Sequence, residues 1–213
     1  MTAVGVLGGT FDPVHRGHIA LATGVRDALG LARVVLVPCA KPPHKPERAV
    51  TAAYHRLEML YLACEDWAGL TVETQEIARG GVSYTIDTLR ELRAGGLGPV
   101  FVVGSDSLAE MGTWRGGDAL LEEFDFAAVE RPEDGGGPLA AGVPEAVRRH
   151  VTAREDRHAA DRLGSGGRIV RVPMAALPVS SSLVRARAAA SRPVDDLVPA
   201  RIARYIQRHR LYR

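Results

Sequence analysis

Two histidines three residues apart, His15 and His18, follow a turn that begins with paired glycines, Gly8-Gly9-Thr10-Phe11-Asp12-Pro13. An apolar run, Val4 to Leu7, leads into the turn, and apolar residues at helical spacing leave it: Ile19, Leu21, Ala22 and Val25. The segment therefore reads as a buried strand, a tight break at Pro13, and a helix. Glycines let a ligand approach backbone closely, and the first amides of a helix lack intrahelical partners, so such a turn suits an anion. At that spacing both imidazoles lie on one face of the first helical turn. The chemistry is stabilisation of a polyphosphate during displacement. Other readings compete. One histidine could simply cap the helix. The pair could be half a zinc site, but no further Cys or His pair stands at suitable spacing. Neither a P-loop nor a dinucleotide fingerprint fits, since no Gly-Lys-Ser/Thr or Gly-x-Gly-x-x-Gly is present in the turn.

A second cluster is Ser180-Ser181-Ser182 with Arg185. Serines ahead of a helical stretch are N-cap residues. They also offer amides and hydroxyls to a phosphate, with Arg185 one turn in as a cation. Capping alone is the simpler account of this cluster taken singly. A third segment, Gly104-Ser105-Asp106-Ser107, follows an apolar run. There Gly104 permits close approach of a sugar or base, and Asp106 can accept from ribose hydroxyls, or cap a helix.

These clusters need a frame. Apolar runs at Val4–Leu7, Val34–Val37, Val100–Val103, Phe126–Val129 and Ile169–Val172 read as buried strands, and Leu70–Val72 as a weaker one. Helical patterns lie between and after them: Gly17–Leu29, Ala52–Cys64, Thr85–Leu92, Asp118–Glu123, Glu145–Leu163 and Asp195–His209. The alternation predicts an α/β fold, a Rossmann-like parallel sheet flanked by helices, which binds ligands beyond the carboxyl ends of its strands. The expected organisation is one domain over 1–213, with a surface insertion at 132–167 and a helical part at 180–213.

Composition narrows the class. With 213 residues and 46% apolar content the chain can bury a sizeable core. Two cysteines, Cys39 and Cys64, make no disulfide framework. No signal-like segment precedes the first strand, and no apolar run reaches spanning length, so a cytoplasmic setting without a membrane partner is expected. A net charge of +2 gives no footprint for nucleic acid. Homo-oligomerisation is left open.

The motifs also carry a resemblance. Gly-Thr-Phe-Asp-Pro-x-His-x-Gly-His at 9–18 resembles the signature of nucleotidyltransferases that transfer a nucleoside monophosphate from ATP or CTP. Val179-Ser-Ser-Ser-Leu-Val-Arg185 is similar to their second signature, with Val for Ile and Ser182 for Thr. Further features point within that class. They are Pro42-Pro43-His44-Lys45, Ser83-Tyr84-Thr85-Ile86-Asp87-Thr88-Leu89, Trp114 eight residues after Asp106, Arg131-Pro132, and the segments Asp196–Pro199 and Leu211–Arg213. Together they resemble the bacterial nicotinate-nucleotide adenylyltransferases over almost the whole length, most thinly at 133–170.

The resemblance implies transfer of AMP from ATP to nicotinate mononucleotide, with release of pyrophosphate and with magnesium on the ATP phosphates. It implies that His15, His18 and Arg185 act on the triphosphate, and that Gly8, Gly9, Thr10, Phe11, Gly104, Asp106, Ser180, Ser181 and Ser182 bind ATP. His44, Lys45, Tyr84, Thr85, Trp114 and Arg131 would then bind the acceptor, Trp114 stacking on the pyridine and the Tyr84-Thr85 region facing its carboxylate. Arg115 departs from the pattern, which often has an aromatic residue there. Competing readings are an adenylyltransferase for nicotinamide mononucleotide or phosphopantetheine, a cytidylyltransferase, and a non-catalytic nucleotide sensor on the same fold.

Overall fold

The computed structural model describes residues 2–41, 50–130, 144–152, 163–175 and 177–213; the side chains of Ser105 and Asp106 are not among what it describes. His44, Lys45 and Arg131 lie outside these residues, as do most of the loop at 132–144 and positions 153–162.

Six strands form one sheet: β1 (Thr2–Gly9), β2 (Val34–Pro38), β3 (Leu70–Val72), β4 (Leu97–Gly104), β5 (Asp125–Glu130) and β6 (Ile169–Pro173). Their order is β3-β2-β1-β4-β5-β6, and every neighbouring pair is parallel. The strands are continuous apolar runs because both faces of the sheet are covered. On β2, Val34 and Leu36 enter one core and Val35 and Val37 the other, following the two-residue period of a strand.

Helices α1 (Arg16–Leu29) and α2 (Ala53–Asp66) pack on one face, together with α8 (Ser181–Ala189) and α9 (Ala200–Arg208). The other face carries α4 (Thr85–Ala94), α5 (Ser105–Ala109) and α6 (Gly117–Glu123). Two short α-helices, α3 (Gln75–Arg79) and α7 (Glu145–Arg148), and a 3-10 turn at Met111–Thr113 complete the described set. Among the described residues no helix is long and apolar enough to cross a membrane.

Chain direction across the sheet reverses between β1 and β4. A parallel sheet in this order opens a crevice at the carboxyl ends of those two strands. Gly8 and Gly9 end β1, and Gly104 ends β4. Both glycine segments read as ligand-facing therefore sit at the reversal point.

Two expected helices are shorter than their patterns. The final helix begins at Ala200 rather than Asp195, since Pro199 is at its N-cap and favours the first turn but not the interior. Within Glu145–Leu163 the helix ends at Arg148, and Val151 forms a parallel bridge to Ile169. Val147 is buried in the core, so the described part of this stretch is anchored to the sheet.

Candidate functional site

His15 is the N-cap of α1, and the two histidines form a reciprocal capping box. The backbone N–H of His18 donates to His15 Nδ1 at 3.3 Å, and the backbone N–H of His15 donates to His18 Nδ1 at 3.3 Å. The rings stack with centroids 3.7 Å apart. An Nδ1 that accepts a hydrogen bond carries no proton, so in each ring the proton sits on Nε2. Capping thus occupies Nδ1 of each ring and leaves Nε2 free to meet a ligand. Burial lowers the His15 pKa to about 4. Burial, followed by the charge of His15, lowers that of His18 to about 3. At neutral pH the pair is two uncharged Nε2–H donors.

The turn ahead of them is tightly packed. Phe11 is buried at positive φ and its ring lies under Gly9, where an added Cβ would come within 3.1 Å of it. Phe11 also meets the edge of His18, with ring centroids 4.9 Å apart. A side chain at position 9 would press on the Phe11 ring, which would have to give by a few tenths of an ångström.

The second cluster closes on the same turn. Ser180 caps α8 by accepting from the Leu183 N–H at 3.2 Å. The Ser181 hydroxyl donates to the Pro13 carbonyl at 2.9 Å. Arg185 donates to the Asp12 carbonyl and, at 2.8 Å, to Ser182 Oγ. Serines and arginine are thus braced against the residues that precede His15. Arg185, Ser182, Asp12, Thr51 and Tyr212 line a depression of about 610 Å³.

A separate cavity of about 460 Å³ begins at the other side of the glycine turn. Gly8, Gly9, Thr10 and Cys39 line one end, and Ser83, Tyr84, Thr85, Phe101, Trp114 and Arg115 line others. Trp114 meets Phe101 edge to face, with centroids 6.2 Å apart. The turn holding Trp114 is fixed by contact: the Gly117 N–H donates to the Trp114 carbonyl at 3.0 Å, and a Cβ on Gly117 would fall 2.2 Å from the Met111 carbonyl oxygen. Tyr84 is the N-cap of α4, and among the described residues no side chain caps that helix end. An aromatic wall and an open helix N-terminus suit a flat ring bearing an anion. Asp106 lies in the first turn of α5 after Gly104.

Several site residues escape a reading by motif. Arg56 is 1% exposed, and its guanidinium donates to the carbonyls of Thr51 at 2.9 Å, Thr10 at 2.8 Å and Cys39 at 2.9 Å. It joins the glycine turn to the end of β2 and the entry of α2. A signal for it exists: Arg56, Met59, Leu60 and Ala63 form an i, i+3, i+4, i+7 stripe, with a cation on its apolar side. Tyr212 donates to Asp12 Oδ1 at 2.9 Å, a contact no local pattern announces. Glu76, buried in the wall of the second cavity, accepts from Thr88 Oγ1 at 2.5 Å.

Among the described residues no group of three or more His, Cys, Asp or Glu side chains could hold a metal. The imidazole N–H groups, guanidinium and helix amides gathered here are donors suited to phosphate oxygens.

A parallel sheet of this order, with a glycine turn and paired imidazoles at its reversal point, defines a nucleotidyltransferase, and residues 6–187 match the cytidylyltransferase-like family. A probable nicotinate-nucleotide adenylyltransferase of Symbiobacterium thermophilum is 42% identical over 100% of this chain and 96% of its own length. Another, of Geobacter metallireducens, is 40% identical over 98% and 97%. The chain belongs to the nicotinate-nucleotide adenylyltransferase family. Its fold is also that of the Plasmodium falciparum nicotinic acid mononucleotide adenylyltransferase solved with NaAD, with a TM-score of 0.72 over 100% of this chain and 98% of that one at 17% identity.

Proposed function

We propose that this chain transfers AMP from ATP to nicotinate mononucleotide, forming nicotinate adenine dinucleotide and pyrophosphate. One observation carries the reading. The cavity with an aromatic wall and an open helix N-terminus shares Gly8, Gly9 and Thr10 with the turn that presents the two imidazoles. An acceptor in that cavity would meet a nucleotide held at the turn.

The acceptor's phosphate is already anionic, so no general base is needed. Its oxygen attacks the α-phosphorus in line, the bond to the bridging oxygen breaks, and pyrophosphate leaves with that electron pair. The work left to the protein is positioning and stabilisation of charge. His15 and His18 donate Nε2–H to phosphate oxygens. Ser180 to Ser182 and Arg185 hold the rest of the triphosphate, and Gly104 and Asp106 border the nucleoside. Trp114 stacks on the pyridine, and the Tyr84-Thr85 amides receive its carboxylate. His44, Lys45 and Arg131 are assigned to the acceptor through the family resemblance. Magnesium bound to the ATP phosphates would supply charge neutralisation there, with none of the described side chains assigned to it.

The test is pyrophosphate release by purified protein with ATP, magnesium and each mononucleotide in turn. Release with nicotinate mononucleotide in strong preference to the nicotinamide form is expected. Equal use of both would make the enzyme dual-specific, and release with neither would leave the nucleotide-sensor reading.

A further inference from the structure

The acceptor cavity has one polar group whose state in the free protein is costly. Ser83 is 8% exposed and lines the cavity, yet its Oγ is buried with no hydrogen-bond partner among the described residues. Buried hydroxyls in folded proteins are nearly always paired, because an unpaired one has lost water and gained nothing. Ser83 lies two residues before Thr85, the first residue of α4, whose N-terminus no described side chain caps. The unpaired hydroxyl and the uncapped helix end are independent features of the same wall.

Charge at that helix end is less simple. Asp87 is in the first turn of α4 and Glu76 is buried in the cavity wall. Two carboxylates beside a site meant for a third would oppose it. Glu76 is engaged by the Thr88 hydroxyl, which also accepts from Arg79 Nη2 at 3.2 Å. Asp87 faces Arg115, with 3.8 Å between Oδ2 and Nη1. The Arg115 guanidinium lies 4.4 Å over the Tyr84 ring and lines the cavity, while 61% of its side chain stays exposed. It is a cation laid across the residue that caps α4, with length to spare for turning inward.

We infer that Ser83 and Arg115 complete the acceptor's carboxylate site, Ser83 donating from inside the cavity and Arg115 offsetting Asp87 at the rim, so that together they set the preference for nicotinate over nicotinamide. The inference rests on the proposed activity and adds two residues to it. A hydroxyl donor bonds a carboxylate more strongly than a neutral amide oxygen, because charge assistance strengthens the bond. Removing Arg115 withdraws a cation and also leaves the Asp87 charge uncompensated, so the anionic acceptor should suffer most.

The experiment measures kcat/KM for both mononucleotides, KM for ATP, and thermal melting. The proteins are wild type, Ser83→Ala, Arg115→Ala, Asp87→Asn and the Arg115→Ala/Asp87→Asn double variant. Ser83→Ala should raise KM for nicotinate mononucleotide about tenfold, the scale of one hydrogen bond to a charged group, with KM for ATP unchanged. Its melting temperature should stay level or rise, because the change deletes an unpaired buried hydroxyl. A structural serine would behave oppositely, lowering the melting temperature, and that result overturns its role. Arg115→Ala should cut the acid-over-amide preference about tenfold, and adding Asp87→Asn should restore part of it. An unchanged preference in Arg115→Ala overturns the role of Arg115. Quenching of Trp114 fluorescence by nicotinate mononucleotide reads acceptor binding without turnover. Wild type that binds this acceptor but releases no pyrophosphate would refute the proposed activity alone, and the same titration of the variants would still decide this inference.

Discussion

At the scale of single residues, the two imidazoles commit one nitrogen each to folding and keep the other for the proposed chemistry. Each Nδ1 accepts a backbone N–H at the start of α1, which fixes the ring and leaves the proton on Nε2. Asparagine separates the two tasks at His15, because its Oδ1 can take the capping bond but no donor remains at the Nε2 position. His15→Asn should keep stability close to wild type, whereas His15→Ala should lose about 1 kcal/mol of it. Both should lower turnover about a hundredfold or more, the scale of one preorganised donor. Equal stability in the two variants would refute the cap, and near-normal turnover in either would refute the donor. Acid dependence follows from the same burial. The folded pKa values of about 4 and about 3 lie below the ordinary 6.5, so as pH falls below 6.5 the unfolded chain takes up protons that the fold refuses. Stability from this pair is present above pH 6.5 and is lost as pH falls toward the folded values. Melting curves between pH 7 and 4.5 should show the decline, and His15→Asn should flatten it. An unchanged slope in that variant would count against the assignment.

At the scale of elements, position came from a residue on an apparently ordinary helix. Arg56 places its guanidinium under three carbonyls from three segments, including Thr10 of the glycine turn. Arg56→Met would fill similar space and leave those carbonyls without their donor. The expected loss is about 3 kcal/mol or more, since each buried unpaired group costs about 1–3 kcal/mol. Arg56→Lys should recover little, because an ammonium lacks the fork that reaches separate acceptors. Urea unfolding of both variants checks this, and a loss below about 1 kcal/mol for Arg56→Met would contradict the bracing role. The case also marks what the sequence could and could not disclose. The strands were legible as apolar runs because the sheet is buried on both faces, and even the three-residue β3 has the expected bounds Leu70–Val72. The turn and the Ser180–Arg185 cluster were legible because their residues are close in sequence. Short α3 and α5 were not, having too few residues to show a period. Arg56 left a trace, a cation within an apolar stripe. The burial of Ser83 and of Glu76 left none, because burial of a polar residue depends on elements folded over it from elsewhere in the chain.

At the scale of the whole molecule, the site joins the two ends of the sequence. The Arg16 N–H donates to the Leu197 carbonyl at 2.9 Å, Ser181 reaches Pro13, Arg185 reaches Asp12, and Tyr212 donates to the Asp12 carboxylate across 200 positions. The glycine turn and the start of α1 are therefore held in place by α8, by Leu197 ahead of α9 and by the segment after α9. Tyr212 is the most testable of these ties. Its phenol is pushed well above the ordinary 10, first by burial and then by the negative charge of Asp12, so it remains a donor throughout the neutral range. Tyr212→Phe keeps the ring and deletes the bond. The expected loss is about 1.5–3 kcal/mol, the range for a hydrogen bond to a charged group. Turnover should also fall, because Asp12 loses a restraint three residues before His15, while the ratio between the two acceptors should hold, since Tyr212 lines a different depression from Trp114. The alkaline limb gives an independent reading. A phenol whose folded pKa is raised contributes stability that is complete below the unfolded value near 10 and is lost as pH rises beyond it, where the unfolded chain ionises first. Wild type should therefore destabilise more steeply above pH 10 than Tyr212→Phe. Parallel alkaline limbs, or a variant as stable and as active as wild type at pH 7.5, would show that the Tyr212–Asp12 bond does not hold the turn.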